Sequence, residues 1–254
     1  MTISLYYGEK YVDKKTEAYP NTSQSNNNYA EFDEQFLPTS TTGVIVSHQY
    51  FTLSYSEAHE QAEWVAYELK KDQIKNSDFK RPYFVEDRSI ATGSANWRNY
   101  KNSGYDRGHL LPAADREFDY NAYHETFLTS NISPQNREFN AGIWNKLEQK
   151  VRYWAKKYDG VFVITGGVLE EGLPTIGDEQ VSVPNQFYKI IFDKRKDGNK
   201  VLAFLIPNAP TTKSFYEYTV SVDEIEAKTG IDFFSNLSKN VQEQLESTAD
   251  RKGW

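Results

Sequence analysis

The stretch Tyr105-Asp106-Arg107-Gly108-His109 decides how the rest of this sequence is interpreted. It is followed by four residues at every fourth position of the chain: Asn140, Trp144, Glu148 and Arg152. Together the two segments supply a proton acceptor, a neutral oxygen ligand, a carboxylate and two guanidinium groups. Metal-assisted cleavage of a phosphodiester requires such a set of groups.

The segment from Asn140 to Ala155 predicts an amphipathic helix. At 100° per residue its apolar side chains share one arc, with Glu148 and Arg152 on the flank; the arc contains Ile143, Trp144, Leu147, Val151 and Trp154. Asn140 projects into this arc, where a buried amide is costly unless it has a partner. A metal ion or an ordered polar network is expected there, and the alternative is that Asn140 caps the helix N-terminus. The alternative for Glu148 is a solvated pair with Arg152.

His109 is predicted to lie at the end of a strand, because it follows Gly108 and precedes an apolar Leu-Leu-Pro segment. The alternative is a hydrogen-bonded structural histidine. The other histidines, His48, His59 and His124, have no comparable polar neighbours and are predicted to be structural. Arg107 lies on the same side of an extended chain as His109, where it can bind a phosphate, although it can also pair with Asp106.

Composition limits the kinds of site that this chain can carry. Its 254 residues, 38% hydrophobic and 15% aromatic, predict one large globular domain. The absence of cysteine excludes disulfides, thiolate nucleophiles and cysteine-bound zinc, so a metal must be bound by oxygen or imidazole. A net charge of −7 argues against non-specific coating of nucleic acid but allows a small basic cleft. We expect a soluble chain with neither a membrane span nor a signal peptide.

The chain divides into a polar N-terminal arm or linker, residues 1–42, and one domain, residues 43–254. Apolar runs ended by glycine, proline or a charge predict central strands at Gly160–Gly167, Phe187–Asp193 and Val201–Pro207. A hairpin is predicted after residue 43, and Glu63–Leu69 fits a strand or a helix equally well. Two short acidic helices are expected near the end of the chain, at Val222–Glu226 and Val241–Glu246.

The predicted helix is locally basic although the protein is acidic. Between residues 137 and 157 the basic side chains outnumber Glu138 and Glu148; they are Arg137, Lys146, Lys150, Arg152, Lys156 and Lys157. This face is predicted to contact a nucleic acid backbone, and the alternative is an ordinary solvated face.

Three linked motifs resemble the DNA/RNA non-specific endonucleases, the ββα-metal nuclease family. They are Ser103–Pro112, Thr129–Gln135 and the Asn140–Arg152 segment, and the similarity runs from about Gly43 to Phe234. The resemblance implies an α+β fold with a central, largely antiparallel sheet flanked by helices. In this ββα-metal (His-Me finger) arrangement a strand ends at His109 and a helix starts near Asn140.

The resemblance also implies the roles of individual residues. His109 would be the general base, and Asn140 the only direct protein ligand of one Mg²⁺, with Mn²⁺ or Ca²⁺ as alternative ions. Glu148 would hold a metal-bound water. Four further positions are implied: Arg107 and Arg152 as phosphate and transition-state ligands, Arg81 as the upstream arginine with Arg88 or Arg98 as alternatives, and Asn131 as a supporting residue near the base. A base of near-neutral pKa implies that activity falls as His109 protonates below neutrality.

The implied function is a sugar-non-specific endonuclease that leaves 5′-phosphate and 3′-hydroxyl ends. The alternatives are a non-catalytic nucleic-acid-binding protein with the same fold and a small-molecule phosphodiesterase. The expected partners are DNA and RNA as substrates, with a protein inhibitor as a further candidate and no membrane partner. Family members are commonly exported, so a periplasmic or secreted protein without its signal peptide is expected; the oligomeric state is left open.

Overall fold

A seven-stranded antiparallel sheet forms the centre of the computed structural model, which describes residues 34–195 and 198–254. The described strands are β1 (Ile45–Ser47), β2 (Thr52–Ser56), β3 (Gln61–Lys70), β4 (Asp106–His109), β5 (Ile132–Gln135), β6 (Gly160–Gly167), β7 (Thr175–Ile176), β8 (Val181–Ser182), β9 (Gln186–Arg195), β10 (Gly198–Pro207) and β11 (Thr219–Val220). The large sheet has the order β1-β2-β3-β6-β9-β10-β11, whereas β4-β5 and β7-β8 form separate two-stranded ribbons. All these strand pairs are antiparallel.

Helices cover both faces of the large sheet. The described helices are α1 (Tyr120–Glu125), α2 (Arg137–Phe139), a π-helical turn (Asn140–Trp144) that continues it, α3 (Asn145–Tyr158), α4 (Val222–Thr229) and α5 (Lys239–Glu246). Short 3-10 turns occur at Glu34–Phe36, Lys71–Gln73, Trp97–Tyr100, Ala113–Asp115, Thr129–Asn131 and Phe215–Tyr218. In the part of the chain that the structure describes, no helix has the length and apolar character needed to cross a bilayer.

The large sheet separates the two largest apolar layers of the core, and a third, smaller cluster lies around β5, β7 and β8. Val163 of β6 belongs to the layer that contains Trp144 and Leu147. Its neighbour Ile164 belongs to the opposite layer, with Ile225 of α4. Successive strand residues point to opposite faces, so a strand covered on both sides is apolar at consecutive positions. This explains the uninterrupted apolar runs that predict β6, β9 and β10.

Strand β3 contains the segment for which the sequence did not distinguish a strand from a helix. Trp64 and Val65 are both fully buried, one in each apolar layer, and the burial continues along nearly the whole strand. A strand buried on both faces needs no polar side, so Glu63–Leu69 lacks a pattern that would separate it from a buried helix.

The candidate site lies in one long excursion between two paired strands. β3 and β6 are adjacent, from Val65 opposite Thr165 to Lys70 opposite Gly160. Residues 71–159, which carry β4, β5 and α1 to α3, connect the two strands. The site is therefore anchored at both ends by the same strand pair.

The predicted arm, residues 1–42, is described only from residue 34 onward, and residues 1–33 lie outside the described part. Phe36 is 1% exposed and packs in the layer that contains Trp64. The indole nitrogen of Trp64 donates to the carbonyl oxygen of Thr39 at 2.9 Å. Residues 36–39 are thus attached to the large sheet, and a polar arm over the earlier residues stays a prediction.

Candidate active site

The ribbon β4-β5 places His109 at the end of a strand. Gly108 pairs with Ser133 and His109 with Ile132. A Cβ atom on Gly108 would lie 2.1 Å from the side-chain carbon Cδ of Gln135. Only glycine permits this close approach, so the residue before His109 has a packing reason for its identity.

His109 is surrounded by aromatic rings. Its ring centroid lies 5.0 Å from Phe127, edge to face, and 5.5 Å from Phe84. Nε2 is buried and has no hydrogen-bond partner among the described residues. Burial and the nearby charge of Arg81 lower the pKa of His109 to about 3. The imidazole is therefore neutral at ordinary pH and can accept a proton, but the expected loss of activity just below neutrality moves to more acid pH.

Two guanidinium groups lie over the aromatic rings next to His109. Arg81 is 5.7 Å from the Phe84 ring and 5.6 Å from the Phe127 ring, and Arg107 is 5.0 Å from the Phe84 ring. Burial, followed by the charge of Arg81, lowers the pKa of Arg107. Two like charges held close together form a natural binding site for an anion such as a phosphate.

The three candidates for the upstream arginine occupy different surroundings. Arg81 contacts the two rings that also contact His109. Arg98 lies over the Trp97 ring at 4.9 Å, and Arg88 is exposed. Geometry therefore favours Arg81, while Arg98 adds a cation further along the same surface, because the Trp97 ring also lies 5.6 Å from Arg107.

Asn140 lies in the π-helical turn rather than at the helix N-terminus. Asn136 caps the helix, since its side chain accepts hydrogen bonds from the backbone nitrogens of Glu138 at 2.9 Å and Phe139 at 3.2 Å. The alternative that Asn140 is the N-cap is therefore wrong. Instead, Asn140 Nδ2 donates to Asp106 Oδ2 at 3.1 Å, which links the helix to β4. No described residue donates to its amide oxygen, which leaves that oxygen available as a metal ligand.

Arg152 forms an ion pair with Asp115, a residue that the sequence analysis did not select. Nη1 of Arg152 lies 2.7 Å from Asp115 Oδ1, and Tyr67 donates its hydroxyl to Asp115 Oδ2 at 3.1 Å. Burial opposes the charge of Arg152, but the adjacent Asp115 carboxylate raises the pKa of the guanidinium. Arg152 thus bonds to a buried carboxylate, and the alternative of a solvated ion pair between Glu148 and Arg152 is not observed among the described residues.

Glu148 shares its buried surroundings with Lys189 of β9. Burial raises the pKa of Glu148, and the charge of Lys189 acts against this rise. Lys189 is fully buried, donates to Thr165 Oγ1 at 3.2 Å and lies 4.7 Å from the Trp144 ring. Burial in turn lowers the pKa of Lys189. The sheet therefore supplies a cation next to the helix carboxylate, which helps to keep that carboxylate ionised.

Asn131 is fully buried and its amide is occupied by backbone groups. Its oxygen accepts from the nitrogen of Leu111 at 2.8 Å, and Nδ2 donates to the carbonyl oxygens of Leu111 at 3.0 Å and Thr126 at 2.9 Å. These bonds fix the segment that directly follows His109. Asn131 is therefore placed as a positioning residue for the base.

The remaining histidines have local partners. His48 Nε2 lies 2.8 Å from Asp87 Oδ2, and His59 Nδ1 lies 2.9 Å from Ser182 Oγ. The ring centroid of His124 lies 4.1 Å from that of Tyr120. Each of these contacts fits a structural role.

The basic face of α3 is less uniform than its sequence indicates. Lys150 lies 4.1 Å from the Tyr153 ring, and Lys157 donates to the hydroxyl of Tyr158 at 2.6 Å. Arg152 is buried against Asp115. Arg81, Arg98 and Arg107 are the cations that group around His109 and Trp97, because the aromatic rings there hold them in place.

Comparison with known proteins gives this geometry a family context. A family described as DNA/RNA non-specific endonuclease matches residues 28–240. The chain belongs to the DNA/RNA non-specific endonuclease family. Nucleases of this family are metal-dependent.

Relatives of the endonuclease family are found in animals and bacteria. The mitochondrial nuclease EXOG of Danio rerio is 36% identical over 210 residues, which cover 76% of this chain but only 61% of that protein. A nuclease of Nostoc sp. is 33% identical over 222 residues, covering 82% of this chain and 78% of the relative. Human mitochondrial endonuclease G is 30% identical over 206 residues, with coverages of 75% and 69%.

A solved structure of the EndoG/EndoGI complex matches with a TM-score of 0.71 and 30% identity. The match covers 79% of this chain and 88% of that chain. The predicted α+β endonuclease fold is confirmed by this likeness and by the antiparallel sheet.

Several groups in the endonuclease site escaped the sequence analysis. Asp115 is one of three acidic residues between positions 115 and 119, Lys189 lies within an apolar strand, and Phe84 and Trp97 are ordinary aromatic residues by sequence. A charged residue inside a strand otherwise apolar at consecutive positions is the one usable signal, and it points to Lys189. The partners themselves lie far away along the chain and are visible only once it has folded.

Proposed function

We propose that this chain is a metal-dependent endonuclease that hydrolyses phosphodiester bonds of both DNA and RNA. The observation that carries the proposal is the neutral, half-buried His109, with its Nε2 shielded from solvent, beside the guanidinium groups of Arg81 and Arg107. A proton acceptor next to two anion-binding cations suits attack of water on a phosphate.

His109 takes a proton from the attacking water in this proposal. Arg81 and Arg107 bind the non-bridging phosphate oxygens, whose negative charge would otherwise repel the nucleophile. Arg152 adds positive charge from the helix side; its side chain is 17% exposed and is oriented by Asp115. Glu148 and Asn131 act through other groups, and Asn131 does so by fixing the segment after His109.

The oxygen ligands near β4 fit a magnesium ion. Asn140 presents its amide oxygen, because the nitrogen of the same amide is held by Asp106. Glu148 supplies a carboxylate on the following helix, suited to holding a metal-bound water. Magnesium retains most of its waters in proteins, so one direct protein ligand suffices. A bound ion would supply positive charge at the phosphate and at the departing 3′ oxygen.

The proposed substrate range follows from the kinds of contact available. Guanidinium groups and a metal ion recognise phosphates, which DNA and RNA share, whereas no group of the described site is arranged to exclude a 2′-hydroxyl. We therefore propose cleavage with little sugar or sequence preference that leaves 5′-phosphate and 3′-hydroxyl ends. The likeness to EndoG bound to EndoGI supports a protein inhibitor as a further partner. Export from the cell stays a prediction, since the names of several relatives place those proteins in mitochondria.

The test measures degradation of plasmid DNA and total RNA by the wild type, His109→Ala and Asn140→Ala, each with Mg²⁺ and with EDTA. Only the metal-loaded wild type is expected to degrade both substrates at full rate. His59→Gln is the matched histidine control, because His59 contacts Ser182 rather than the candidate site. Retention of DNA binding by His109→Ala would assign that residue to the chemistry.

Two results would contradict the proposal. Binding of nucleic acid without cleavage by the metal-loaded wild type would favour a non-catalytic binding protein. Hydrolysis of a small phosphodiester that bulk DNA fails to inhibit would favour a small-molecule phosphodiesterase.

A further inference from the structure

A cluster of carboxylates joins α4 to α5 on the face of the sheet opposite α3. Asp223 and Glu226 belong to α4, and Glu246 is the last residue of α5. One carboxylate oxygen from each of the three lies within 4.8 Å of the others. The cluster runs from exposed Asp223 through half-buried Glu226 to Glu246, which is only 7% exposed.

The buried end of this cluster lacks a partner. Glu246 Oε1 is shielded from solvent and has no hydrogen-bond partner within residues 34–195 and 198–254. The acidic side chains of Glu226, Asp232 and Asp223 are the charged groups that interact with Glu246. No ion pair with a lysine or arginine of the described residues offsets this negative charge. An uncompensated carboxylate in such a position is costly, so a positive ligand is expected.

The dimensions of the cluster suit a bound cation. Calcium binds oxygen at about 2.3–2.6 Å, so two oxygens on one ion lie no more than about 5 Å apart. The 4.8 Å limit that relates the three oxygens satisfies this condition. Glu226 is also held in place, because its Oε1 accepts from the backbone nitrogen of Phe233 at 2.7 Å. Its second oxygen accepts no hydrogen bond from the described residues.

We propose that Asp223, Glu226 and Glu246 form a second, structural site for a divalent cation of the calcium class. The ligands are carboxylates without imidazole or thiolate, which favours calcium over zinc. Exposed Asp223 leaves one side open to water, which completes the six to eight oxygens that calcium takes. Calcium also accepts irregular geometry more readily than magnesium does.

The bound ion would fasten two helices that cover the same apolar layer. Ile225 of α4 and Leu245 of α5 both pack in the layer that contains Ile164. The ligands Glu226 and Glu246 directly follow these two core residues. The proposed site therefore acts on stability and not on catalysis, because α3 of the candidate active site packs in the other apolar layer of the core.

The test uses the full chain carrying Asn140→Ala, which weakens metal binding at the catalytic site. Calorimetric titration with calcium chloride is expected to show one bound ion in this background. The melting temperature should rise by roughly 3–6 °C at a calcium concentration about ten times the Kd. Adding Glu246→Gln should abolish both signals, and adding Asp223→Asn, at the exposed end, should weaken binding while preserving the fold.

Glu224→Gln on α4 and Glu243→Gln on α5 are the matched controls, since both are exposed glutamates on the same helices. Both should keep the full calcium response. Absence of calcium binding in the Asn140→Ala background would overturn the proposal, and so would an unchanged response after Glu246→Gln. A rise in melting temperature on Glu246→Gln, with no calcium response in its parent, would assign the cluster to carboxyls that share a proton and would also overturn it.

Discussion

One hydrogen bond decides which end of the Asn140 amide faces the proposed metal. Asp106 Oδ2 accepts from Asn140 Nδ2 at 3.1 Å, so the amide nitrogen is engaged and the amide oxygen is left for a ligand. The hydrogen-bond partner of a metal ligand fixes the orientation of that ligand. Loss of the partner commonly lowers the metal affinity by about 10–100-fold. Under the proposed function Asp106 is a positioning residue, and its hydrogen bond goes to Asn140 rather than to Arg107, the partner that the sequence allowed.

Asp106→Ala is expected to raise the Mg²⁺ concentration for half-maximal activity by about 10–100-fold, because the amide can then rotate. The maximal rate at saturating Mg²⁺ should fall less than it does in Asn140→Ala. Asp78→Ala, at an exposed aspartate, is the control. A Mg²⁺ titration that coincides with that of the wild type would show that Asp106 does not orient the ligand.

Burial lowers the pKa of His109 most, and the charge of Arg81 lowers it further. Arg81→Gln should raise the pKa of His109 from about 3, because a nearby positive charge that disfavours the imidazolium is removed. NMR titration of the imidazole measures this change directly, with Arg88→Gln as the control. The acid limb of the pH–rate profile should move to higher pH in Arg81→Gln, whereas in the wild type His109 should produce no inflection between pH 5 and 8. An unchanged imidazole titration would contradict this.

The same shift makes stability depend on pH. The pKa of His109 in the folded protein is below its ordinary value of 6.5, so between these pH values the unfolded chain binds the proton more readily. The contribution to stability is present above pH 6.5 and is lost as the pH falls toward the folded pKa.

At the level of elements, the ribbon β4-β5 and the helix that begins at Arg137 must meet accurately for the site to form. The ribbon depends on Gly108, beside which Gln135 is packed so closely that no side chain fits. The helix depends on its cap at Asn136 and on the π-helical turn that carries Asn140. π-Helical turns often occur at functional sites, where they change the direction of a side chain relative to a regular helix.

Gly108→Ala is expected to displace Gln135 or separate β4 from β5, which should lower the melting temperature and the rate together. Gly142→Ala is the matched control, because no atom lies within 4 Å of the added Cβ and the residue is helical. That control should be neutral or slightly stabilising. Equal melting temperatures for the two variants would show that the ribbon relaxes without cost.

Sequence patterns foretold those elements whose signal is local. Strands β6, β9 and β10 follow from apolar runs ended by turn residues or charges, and His109 at a strand end follows from Gly108 and the residues after it. The start of the helix could not be predicted, because Asn136 and Asn140 are equally good N-caps by residue type. Strand β3 was ambiguous because both of its faces are buried. The partners Asp115 and Lys189 depend on contacts between distant segments, which no local pattern records.

The whole molecule is acidic, with a net charge of −7, yet it carries a basic area around His109. Arg98 and Arg107 extend this area over the Trp97 ring. Binding of a polyanion to such an area releases counterions, so its strength falls steeply with added salt. Added salt is therefore expected to weaken binding of nucleic acid at the basic area around His109.

Activity under kcat/KM conditions should fall as salt rises, and Arg98→Gln should reduce the slope of log rate against log salt by about 1. Lys156→Gln, at an exposed residue on the far part of α3, should leave the slope unchanged. A larger change of this slope for Lys156→Gln than for Arg98→Gln would indicate that the basic face of α3, rather than the area around His109, contacts the nucleic acid backbone. A flat salt response would remove the basic area from substrate binding.

The excursion of residues 71–159 between β3 and β6 has a consequence for the order of events in folding. Its two ends are fixed only when β3 pairs with β6, and such non-local pairing is slow because a long loop must first close. Glu148 meets Lys189 later still, because β9 must join β6. During synthesis His109 and Asn140 are therefore part of the growing chain well before the strands that hold the candidate site in place have paired.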